Sequence, residues 1–398
     1  MLDAIDAIFL VFAFITLYFM AFFLIANYSR KKEEPAKDFF GSVSFLIPAY
    51  NEAGTIAATV NAIKETDYPT KEIIVVDDGS TDGTAAEARK AGAIVLSVKN
   101  RGKAAALNRA RKKARGDFIA CVDADSFLTK NALKEAMKYF ADPGVAAVTV
   151  SILPRNKKGL LARLQEFEYI MIAWARKNLE YVESVFVTPG PMSIYRKNVI
   201  EKLGGFDETN LTEDIEIAWR VLNAGYKIRM ATKALVYTET PTALRTWWRQ
   251  RTRWNIGGMQ TLWKYRHEVF SNEATFAMFV IPFFAFSMGI SLMGLGVFTF
   301  LICQWAVSSA LFLVGAQAAG VTPQIELLLL PNVFTIFGLL IFGLSLLYSK
   351  INFAAYNRRF TDRKDYAVML VYLAFYISIF PILLVYSAAK MLAGKREW

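Results

Sequence analysis

The strongest indication of the fold is the run Phe118-Ile119-Ala120-Cys121-Val122-Asp123-Ala124-Asp125. Five apolar residues lead into two acids that a single alanine separates. An apolar run of this length that ends in acids is typical of a buried parallel strand. Its carboxylates would lie at the C-terminal edge of the sheet, where open α/β sheets bind ligands. Carboxylate oxygens at such an edge suit Mg²⁺ or Mn²⁺ that bridges to a diphosphate.

The residues before this run predict repeated strand–helix units. We expect strands at 43–47, 72–76 and 94–98, and helices at 55–66, 81–91 and 103–114. This alternation indicates a parallel sheet covered on both faces. A Gly-x-Gly-x-x-Gly motif does not follow the first strand, which disfavours a nicotinamide dehydrogenase. The P-loop motif Gly-x-x-x-x-Gly-Lys-Ser/Thr is also absent from the sequence.

Polar segments follow each of the first three predicted strands. They are Pro48-Ala49-Tyr50-Asn51-Glu52, Asp77-Asp78-Gly79-Ser80 and Asn100-Arg101-Gly102-Lys103. A carboxylate at a sheet edge can accept hydrogen bonds from a nucleobase N–H or a ribose hydroxyl, and Tyr50 could flank the base. The second segment alone would be interpreted as an ordinary turn with a helix N-cap. Lys103 begins a helix whose dipole favours anions, and a salt bridge to a neighbouring acid is an equally good interpretation.

Two helical segments follow on the other side of the run. Thr212-Glu213-Asp214 precedes a helical pattern, so Thr212 could be the N-cap and the two acids ordinary first-turn residues. Residues 244–265 form a basic, aromatic helix in which Trp247 and Trp248 are interpreted as interfacial anchors. In that helix Gln250, Arg253 and Trp254 have the spacing i, i+3 and i+4 and share a face.

Residues 157–183 predict a long amphipathic helix that is a candidate for lying on the membrane surface. The segment Val187-Thr188-Pro189-Gly190-Pro191-Met192-Ser193 then breaks the helical pattern. An ordinary turn is one interpretation of this segment, and the family resemblance described next implies another, the lining of an acceptor site.

Taken together, these motifs resemble those of the family 2 glycosyltransferases, in particular the membrane-embedded synthases of cellulose, hyaluronan and poly-N-acetylglucosamine. The resemblance extends from about Val43 to Trp254 and is closest to the poly-N-acetylglucosamine synthases. It implies a GT-A fold, which is a Rossmann-like α/β domain with a mostly parallel sheet. It also implies a UDP-linked sugar donor, Mg²⁺ or Mn²⁺ as cofactor, and a polysaccharide or lipid acceptor.

The resemblance also implies a role for each motif residue. Asp214 would be the general base of an inverting transfer, because it would take the proton of the attacking acceptor hydroxyl. Asp125 would hold the metal ion, which neutralises charge on the departing UDP. Trp254 and Glu213 would contact the acceptor. The residues implied to bind the nucleotide-sugar are Tyr50, Glu52, Asp78, Lys103, Asp123, Gln250 and Arg253.

Composition indicates a catalytic domain attached to a membrane. The chain has 398 residues, of which 55% are hydrophobic, with a mean hydropathy of +0.30 and a net charge of +11. The charge fits a cytoplasmic face against anionic membrane lipid, and it would also favour capture of a nucleotide-sugar diphosphate. Nucleic acid is disfavoured as a partner, because no aromatic-basic readout module is present. The two cysteines do not form a disulfide framework or a metal site.

The hydrophobic pattern divides the chain into five parts: a transmembrane helix at 1–29, a linker at 30–41, the GT-A domain at 42–240, interfacial helices at 241–272 and C-terminal transmembrane helices at 273–398. Arg30-Lys31-Lys32 places the GT-A domain in the cytoplasm of a multi-pass membrane protein. Spans are expected at 276–304, 326–348 and 366–391, and the role of 303–320 stays open. Residues 349–365 are expected to form a basic cytoplasmic loop, and 357–362 could act as a flap over the nucleotide.

Three functions fit these features. The first is a processive enzyme that extends a β-linked polysaccharide from UDP-N-acetylglucosamine or UDP-glucose. The second is a non-processive enzyme that adds one sugar to a lipid carrier. The third is a catalytically silent scaffold, which the full set of acids disfavours. Because about four spans make a complete channel from one chain doubtful, a homo-oligomer or an accessory membrane subunit is a further expectation.

Overall fold

The computed structural model describes residues 4–29, 35, 37–156, 158–271, 275–320, 333–355 and 363–394. Within these residues, eight strands form one sheet in the order β3-β2-β1-β4-β7-β6-β8-β5. The strands are β1 Val43–Ala49, β2 Lys71–Asp77, β3 Ile94–Ser97, β4 Phe118–Cys121, β5 Ser126–Leu128, β6 Val145–Pro154, β7 Ser193–Arg196 and β8 Lys227–Thr238.

The first half of the sheet is parallel, as the sequence predicts. β1 lies between β2 and β4, β3 pairs with β2, and all three pairings are parallel. The first three strands are each followed by a helix, namely α2 Ile56–Lys64, α3 Thr84–Lys90 and α4 Lys103–Arg111. The polar segments after these strands therefore lie at one edge of the sheet.

The second half of the sheet is mixed. β7 is antiparallel to both β4 and β6, β8 is parallel to β6, and β5 is antiparallel to β8. β7 runs opposite to β4 because the segment before it already lies at the carboxyl end of β4, where the Asp123 N–H donates to the Gly190 carbonyl at 3.0 Å. The expectation of a parallel sheet thus holds for β1 to β4 and for the β6–β8 pair, whereas β5 and β7 are antiparallel to their neighbours.

The deciding run is shorter as a strand than its sequence predicts. β4 ends at Cys121, and the two acids lie in a turn that leads directly into β5. The Ser126 N–H closes this turn by donating to the Asp123 carbonyl at 3.1 Å. Asp123 and Asp125 are therefore turn residues at the sheet edge. Their side chains need not point to alternate faces of the sheet, as the side chains of a strand do.

Two apolar layers cover the sheet. Alternate residues of β1 point into different layers, with Phe45 and Ile47 in one and Leu46 in the other. The first layer includes residues of α2 and of α5 Ala132–Met137, and the second includes residues of α4, α7 Lys197–Lys202 and α8 Glu213–Asn223. The catalytic-domain fold is thus a three-layer α/β arrangement built on one sheet.

Helix α6, Leu160–Glu180, is largely buried within the protein. It contacts β6 and β8 as well as the helices α11 Val333–Ala355 and α12 Arg363–Val371. Its buried residues include the charged side chains of Glu168, Arg176 and Lys177. Its polar face therefore meets polar partners within the fold, and its position relative to a membrane stays a prediction.

Four of the other helices are apolar, namely α1 Ala4–Ser29, α10 Ile281–Ala318, α11 and α13 Ile377–Leu392. α9 Leu244–Tyr265 is basic and aromatic, and α12 is short, with charged residues in its first turn. Wider helical turns lie at Phe276–Val280 and Tyr372–Tyr376. By length and composition, the segments Phe276–Ala318 and Lys364–Leu392 could each cross a membrane. Among the described residues, two further apolar stretches are shorter than these segments. They are Leu10–Phe22 in α1 and Gly338–Ala354 in α11.

Two expectations about the C-terminal helices need correction. Residues 303–318, whose role the sequence left open, continue α10 without a break. At about 57 Å, this helix is longer than a hydrocarbon core of about 30 Å. The expected loop 349–365 is helical at both ends, because 349–355 belong to α11 and pack against α6. Arg30-Lys31-Lys32 and the proposed flap at 357–362 lie outside the described residues.

Candidate active site

Lys103 connects three distant segments at the carboxyl edge of the sheet. Its Nζ lies 2.6 Å from Asp123 Oδ1, in the turn after β4, and 3.1 Å from Glu213 Oε1, in the first turn of α8. Burial alone would lower the pKa of Lys103, but the carboxylates of Asp123, Glu213 and Asp214 raise it above its ordinary value. The salt-bridge interpretation of Lys103 is therefore the one that the structure bears out.

Gly190 covers this ion pair. A Cβ at this position would lie 2.4 Å from Lys103 Nζ and 2.5 Å from Asp123 Oδ2. The segment 187–193 can therefore cross the cluster only because residue 190 has no side chain. Thr188 fastens the same segment to α8, since its hydroxyl donates to the Asp214 carbonyl at 2.8 Å.

Asp214 occupies the first turn of α8 beside Glu213. Burial, followed by the negative charge of Glu213, raises the pKa of Asp214 to about 6. Lys103 and Arg253 oppose this rise. Thr212 precedes the helix as expected, but its hydroxyl makes no capping hydrogen bond, so the predicted N-cap is only positional. A carboxyl group with a pKa near 6 at the wall of a cavity is suited to accept a proton near neutral pH.

Asp125 lies in the same acidic cluster on the side of β8. Burial, with the negative charges of Asp123 and Glu52, raises the pKa of Asp125 to about 7. The Thr238 hydroxyl donates to its Oδ1 at 3.3 Å. The structure thus brings Glu52, Asp123 and Asp125 into one electrostatic group, which a cation would relieve.

The donor atoms of this group are carboxylate oxygens, which suit a hard divalent cation. Within the described residues, no three His, Cys, Asp or Glu side chains are placed to hold a metal ion by themselves. Mg²⁺ and Mn²⁺ often take only one or two carboxylates, with substrate phosphates and water as further ligands. The partly buried, oxygen-only pair Asp123 and Asp125 fits that pattern of ligation.

Asp78 and Tyr50 are placed differently from the cluster. The buried Asp78 carboxylate accepts the backbone N–H groups of Arg101 at 2.9 Å and Gly102 at 2.8 Å. It thereby shapes the loop that delivers Lys103, and it lines a polar cavity that does not include Asp214. Tyr50 is 51% exposed at the same edge of the sheet.

A largely apolar cavity of about 180 Å³ lies on the other side of Asp214. Trp254 forms part of its wall, whereas Gln250 and Arg253 do not line it. The other lining residues are Ile152, Tyr169, Ile172, Arg176, Val187, Pro189, Pro191, Thr212 and Ile215. The predicted base and the predicted acceptor platform thus share one cavity, which segment 187–191 partly lines.

Several residues near the site escape prediction from sequence. Trp247 is fully buried, and its indole N–H donates to the Tyr376 hydroxyl at 2.7 Å, so its expected role as an interfacial anchor is wrong. Arg251 is buried against Glu168, 83 residues earlier in the chain. Arg176 and Tyr169 line the cavity from α6. The one sequence signal for this group was a pair of charges at apolar positions of α6 and α9.

The fold and these clustered acids define a GT-A-like domain, the class that transfers sugars from nucleotide donors. The mannosyltransferase PcManGT of Pyrobaculum calidifontis, solved with GDP-mannose and Mn²⁺, has a similar fold, with a TM-score of 0.63 over the whole of both chains at 22% identity. Residues 44–204 match the model of glycosyl transferase family 2, so the chain carries a family 2 glycosyltransferase domain.

The chain is further homologous to poly-β-1,6-N-acetyl-D-glucosamine synthases. It is 32% identical to the enzyme of Staphylococcus aureus over 263 residues, which are 64% of this chain and 63% of that protein. It is also 32% identical to the Staphylococcus epidermidis enzyme over 234 residues, 55% of each protein. The chain thus matches less than two thirds of the length of these relatives.

Proposed function

We propose that the chain is an inverting, metal-dependent glycosyltransferase that moves a sugar from UDP-N-acetylglucosamine or UDP-glucose to a growing β-linked polysaccharide. The observation that carries this proposal is the position of Asp214. A carboxyl group with a pKa of about 6 lies beside a cluster of acids and cations on one side and a cavity walled by Trp254 on the other. A base between a donor site and an acceptor site is what an inverting transfer requires.

The transfer proceeds by one displacement. The acceptor hydroxyl oxygen attacks the anomeric carbon as its proton passes to Asp214. The bond between that carbon and the diphosphate oxygen breaks on the opposite face, and its electron pair leaves with UDP. Attack from the face opposite the leaving group inverts the configuration, so an α-linked donor yields a β-linked product. Trp254 supports the acceptor sugar on the indole face.

The donor side is formed by the residues of the sheet edge and one face of α9. Arg253 and Gln250 contact the diphosphate, since a guanidinium fork matches phosphate oxygens. The residues that contact the uridine are Tyr50, Glu52, Asp78 and Asp123. Lys103 forms salt bridges that hold the carboxylates of Asp123 and Glu213 next to each other. Glu213 forms an ion pair with Lys103 at 3.1 Å, and its contact with the acceptor stays a prediction from the motif.

Asp125, with Asp123 beside it, would hold the divalent cation, either Mg²⁺ or Mn²⁺. Such a cation supplies positive charge to the departing diphosphate. The raised pKa of Asp125 supports this assignment, because two neighbouring carboxylates and burial disfavour its charge in the absence of a cation.

A second acceptor class has its own supporting observation. Most of the cavity wall beside Asp214 is apolar, with Ile152, Ile172, Val187 and Ile215 among its side chains. Carbohydrate sites usually offer more hydrogen-bonding groups than this one, whereas an apolar wall suits part of a lipid carrier. Transfer of a single sugar to a lipid is therefore the alternative.

We propose that the chain crosses the membrane several times, with the GT-A domain on the cytoplasmic side. Support comes from the two long apolar segments 276–318 and 364–392 and from the many exposed apolar side chains of α10. A homo-oligomer or an accessory membrane subunit would complete a path for a polysaccharide.

Product size tests the proposal. Purified full-length chain in lipid nanodiscs is given UDP-N-acetylglucosamine or UDP-glucose with Mg²⁺ or Mn²⁺, and the products are separated by size. A ladder supports polysaccharide synthesis, whereas a single organic-soluble glycolipid supports the lipid acceptor. The Asp214→Asn variant should bind UDP normally and lose at least about a hundredfold in transfer rate, because general-base catalysis contributes factors of this size. The surface variant Glu201→Gln serves as its control, and retained turnover in Asp214→Asn contradicts the base assignment.

A further inference from the structure

A buried polar network lies beneath the predicted acceptor platform. Arg251 Nε donates to Glu168 Oε1 at 2.9 Å, and a second guanidinium nitrogen donates to Glu168 Oε2. The Tyr376 hydroxyl donates to the same Oε2 at 2.8 Å and accepts the indole N–H of Trp247 at 2.7 Å. These four side chains come from α6, α9 and the helical turn before α13.

Burial makes the geometry of this network exacting. Glu168, Arg251 and Tyr376 are each no more than 3% exposed. A buried carboxylate or guanidinium is costly unless it is paired and hydrogen-bonded. Glu168 accepts three hydrogen bonds, which leaves it little freedom to move without losing a partner.

Arg251 links the network to two residues of the proposed site. Its guanidinium carbon lies 4.1 Å from the ring centroid of Trp254, in a cation–π contact. Another of its nitrogens donates to the Gln250 side-chain carbonyl. Arg251 does not itself line the cavity, yet it contacts both Gln250, which we assign to the donor side, and Trp254, which we assign to the acceptor side.

We propose that Glu168, Arg251 and Tyr376 form a positioning network through which the C-terminal apolar helices fix the orientation of Trp254 and Gln250. The roles of Trp254 and Gln250 in binding acceptor and donor rest on the proposed function. The existence of the network rests only on the contacts between its side chains. The C-terminal helices are then part of the catalytic unit, in addition to any role as a membrane anchor.

The alternative is that the network only stabilises the fold. Well-packed apolar residues could join three helices without the cost of burying charge. A network that serves packing alone would also need no contact with Trp254. The bidentate pairing with Glu168 fixes the orientation of the Arg251 guanidinium, and the contact with Trp254 passes this constraint to the indole ring. An indole ring that supports an incoming sugar needs such a fixed orientation.

Hydrogen exchange and kinetics of the full chain in nanodiscs test the network. Tyr376→Phe removes one hydroxyl and keeps the ring contacts with Trp247, Tyr372 and Phe380. Tyr386→Phe is its matched control, because Tyr386 is 47% exposed and touches only Trp248 among the aromatic residues described. Glu168→Gln keeps the shape of the side chain and removes its charge.

Both network variants should speed amide exchange in residues 247–257 and leave α2 unchanged. Loss of a buried hydrogen bond to a charged group lowers kcat with UDP-N-acetylglucosamine and Mn²⁺ by about tenfold. The donor KM rises less than kcat falls, by no more than about threefold, because Gln250 is the donor-side residue that the network contacts and the sheet-edge residues are untouched. Tyr386→Phe behaves as wild type in both measurements.

Two results separate the network from the proposed function. Unchanged exchange in 247–257 for both variants overturns the network, whatever the donor proves to be. Wild-type protein that transfers no sugar from any UDP donor overturns the proposed function instead, and exchange then decides the network by itself. Equal losses of kcat and donor binding in Tyr376→Phe also overturn the network proposal, since that pattern indicates general destabilisation of the protein.

Discussion

The environment of Asp214 converts an ordinary helix-start acid into a group that can accept a proton near neutrality. Its negative neighbour Glu213 and burial raise its pKa to about 6, against the pull of Lys103 and Arg253. Asp123 adds to the rise from the turn after β4. The sequence places Asp214 at a helix start, where the dipole alone would lower its pKa. Burial in the tertiary structure reverses that direction.

The rate of transfer should therefore depend on pH through Asp214. The base acts only when it is ionised, so a pKa raised to about 6 removes activity as the pH falls through 6. Below that pH, kcat/KM for the donor should fall about tenfold per pH unit, and above it kcat/KM should level off. The measurement is kcat/KM between pH 5 and pH 8, because this quantity reports the pKa of the enzyme without bound donor. A plateau that extends to pH 5 would show that Asp214 titrates like an exposed acid.

Gly190 offers a test of the ion-pair cluster by the addition of one methyl group. In Gly190→Ala the new Cβ would lie 2.4 Å from Lys103 Nζ and 2.5 Å from Asp123 Oδ2, so one or both of these side chains must shift. We expect transfer to fall at least about tenfold as the pair separates. Initial rates and UDP affinity are compared with those of Gly83→Ala, whose Cβ would meet its nearest neighbour at an ordinary 3.9 Å. Equal rates for the two variants would mean that the cluster plays no part in transfer.

At the scale of elements, α8 and α9 approach closely at Gly257. A Cβ on Gly257 would lie 2.1 Å from Thr212 Oγ1, directly before the two acids of α8. Gly257→Ala should thus force the helices apart, with a loss of about 1–3 kcal/mol in stability and a larger loss in transfer. Gly258→Ala is the neighbouring control, since its Cβ would approach only the far end of the Phe284 ring, at 3.0 Å. Thermal unfolding and initial rates decide, and equal effects of the two variants would contradict close packing at Thr212.

The elements differ in how well their sequences predict them. The first four strands and their helices follow from apolar runs that end at polar segments, and the structure confirms them within a few residues. β6 is buried along its whole length, so its sequence shows no alternation by which a strand could be recognised. β7 has four residues, too few for any periodic signal. α6 is amphipathic, but the period alone does not say whether water, lipid or protein covers its polar face.

At the scale of the molecule, the sequence predicts which motif residues form the site, but it does not predict the buried contacts that hold those residues in place. Lys103, Asp123 and Glu213 each stand at the end of a predicted element, so their convergence at one sheet edge could be foreseen. The pairing of Glu168 with Arg251 joins residues 83 apart, and that with Tyr376 spans 208. Contacts over such separations depend on how whole helices pack, which neither periodicity nor composition encodes.

The position of α10 relative to the bilayer leads to a prediction about Cys303. This cysteine is exposed on the protein surface, yet it lies in an apolar helix whose outward residues include Trp305 and Phe312. If α10 crosses the membrane, lipid covers Cys303, and a membrane-impermeant maleimide should not label it in inverted vesicles. Cys121 should stay unlabelled as well, because burial raises the pKa of its thiol.

Both thiols should react after the vesicles are dissolved in SDS, which gives two labels per chain. A cysteine introduced by Glu201→Cys on the surface of the GT-A domain should react in the intact vesicles and so reports that the domain faces the reagent. Labelling of Cys303 at the rate of that control would place the middle of α10 in water. The exposed apolar surface of α10 would then need a protein partner instead of lipid, because so large an apolar area is unstable in contact with water.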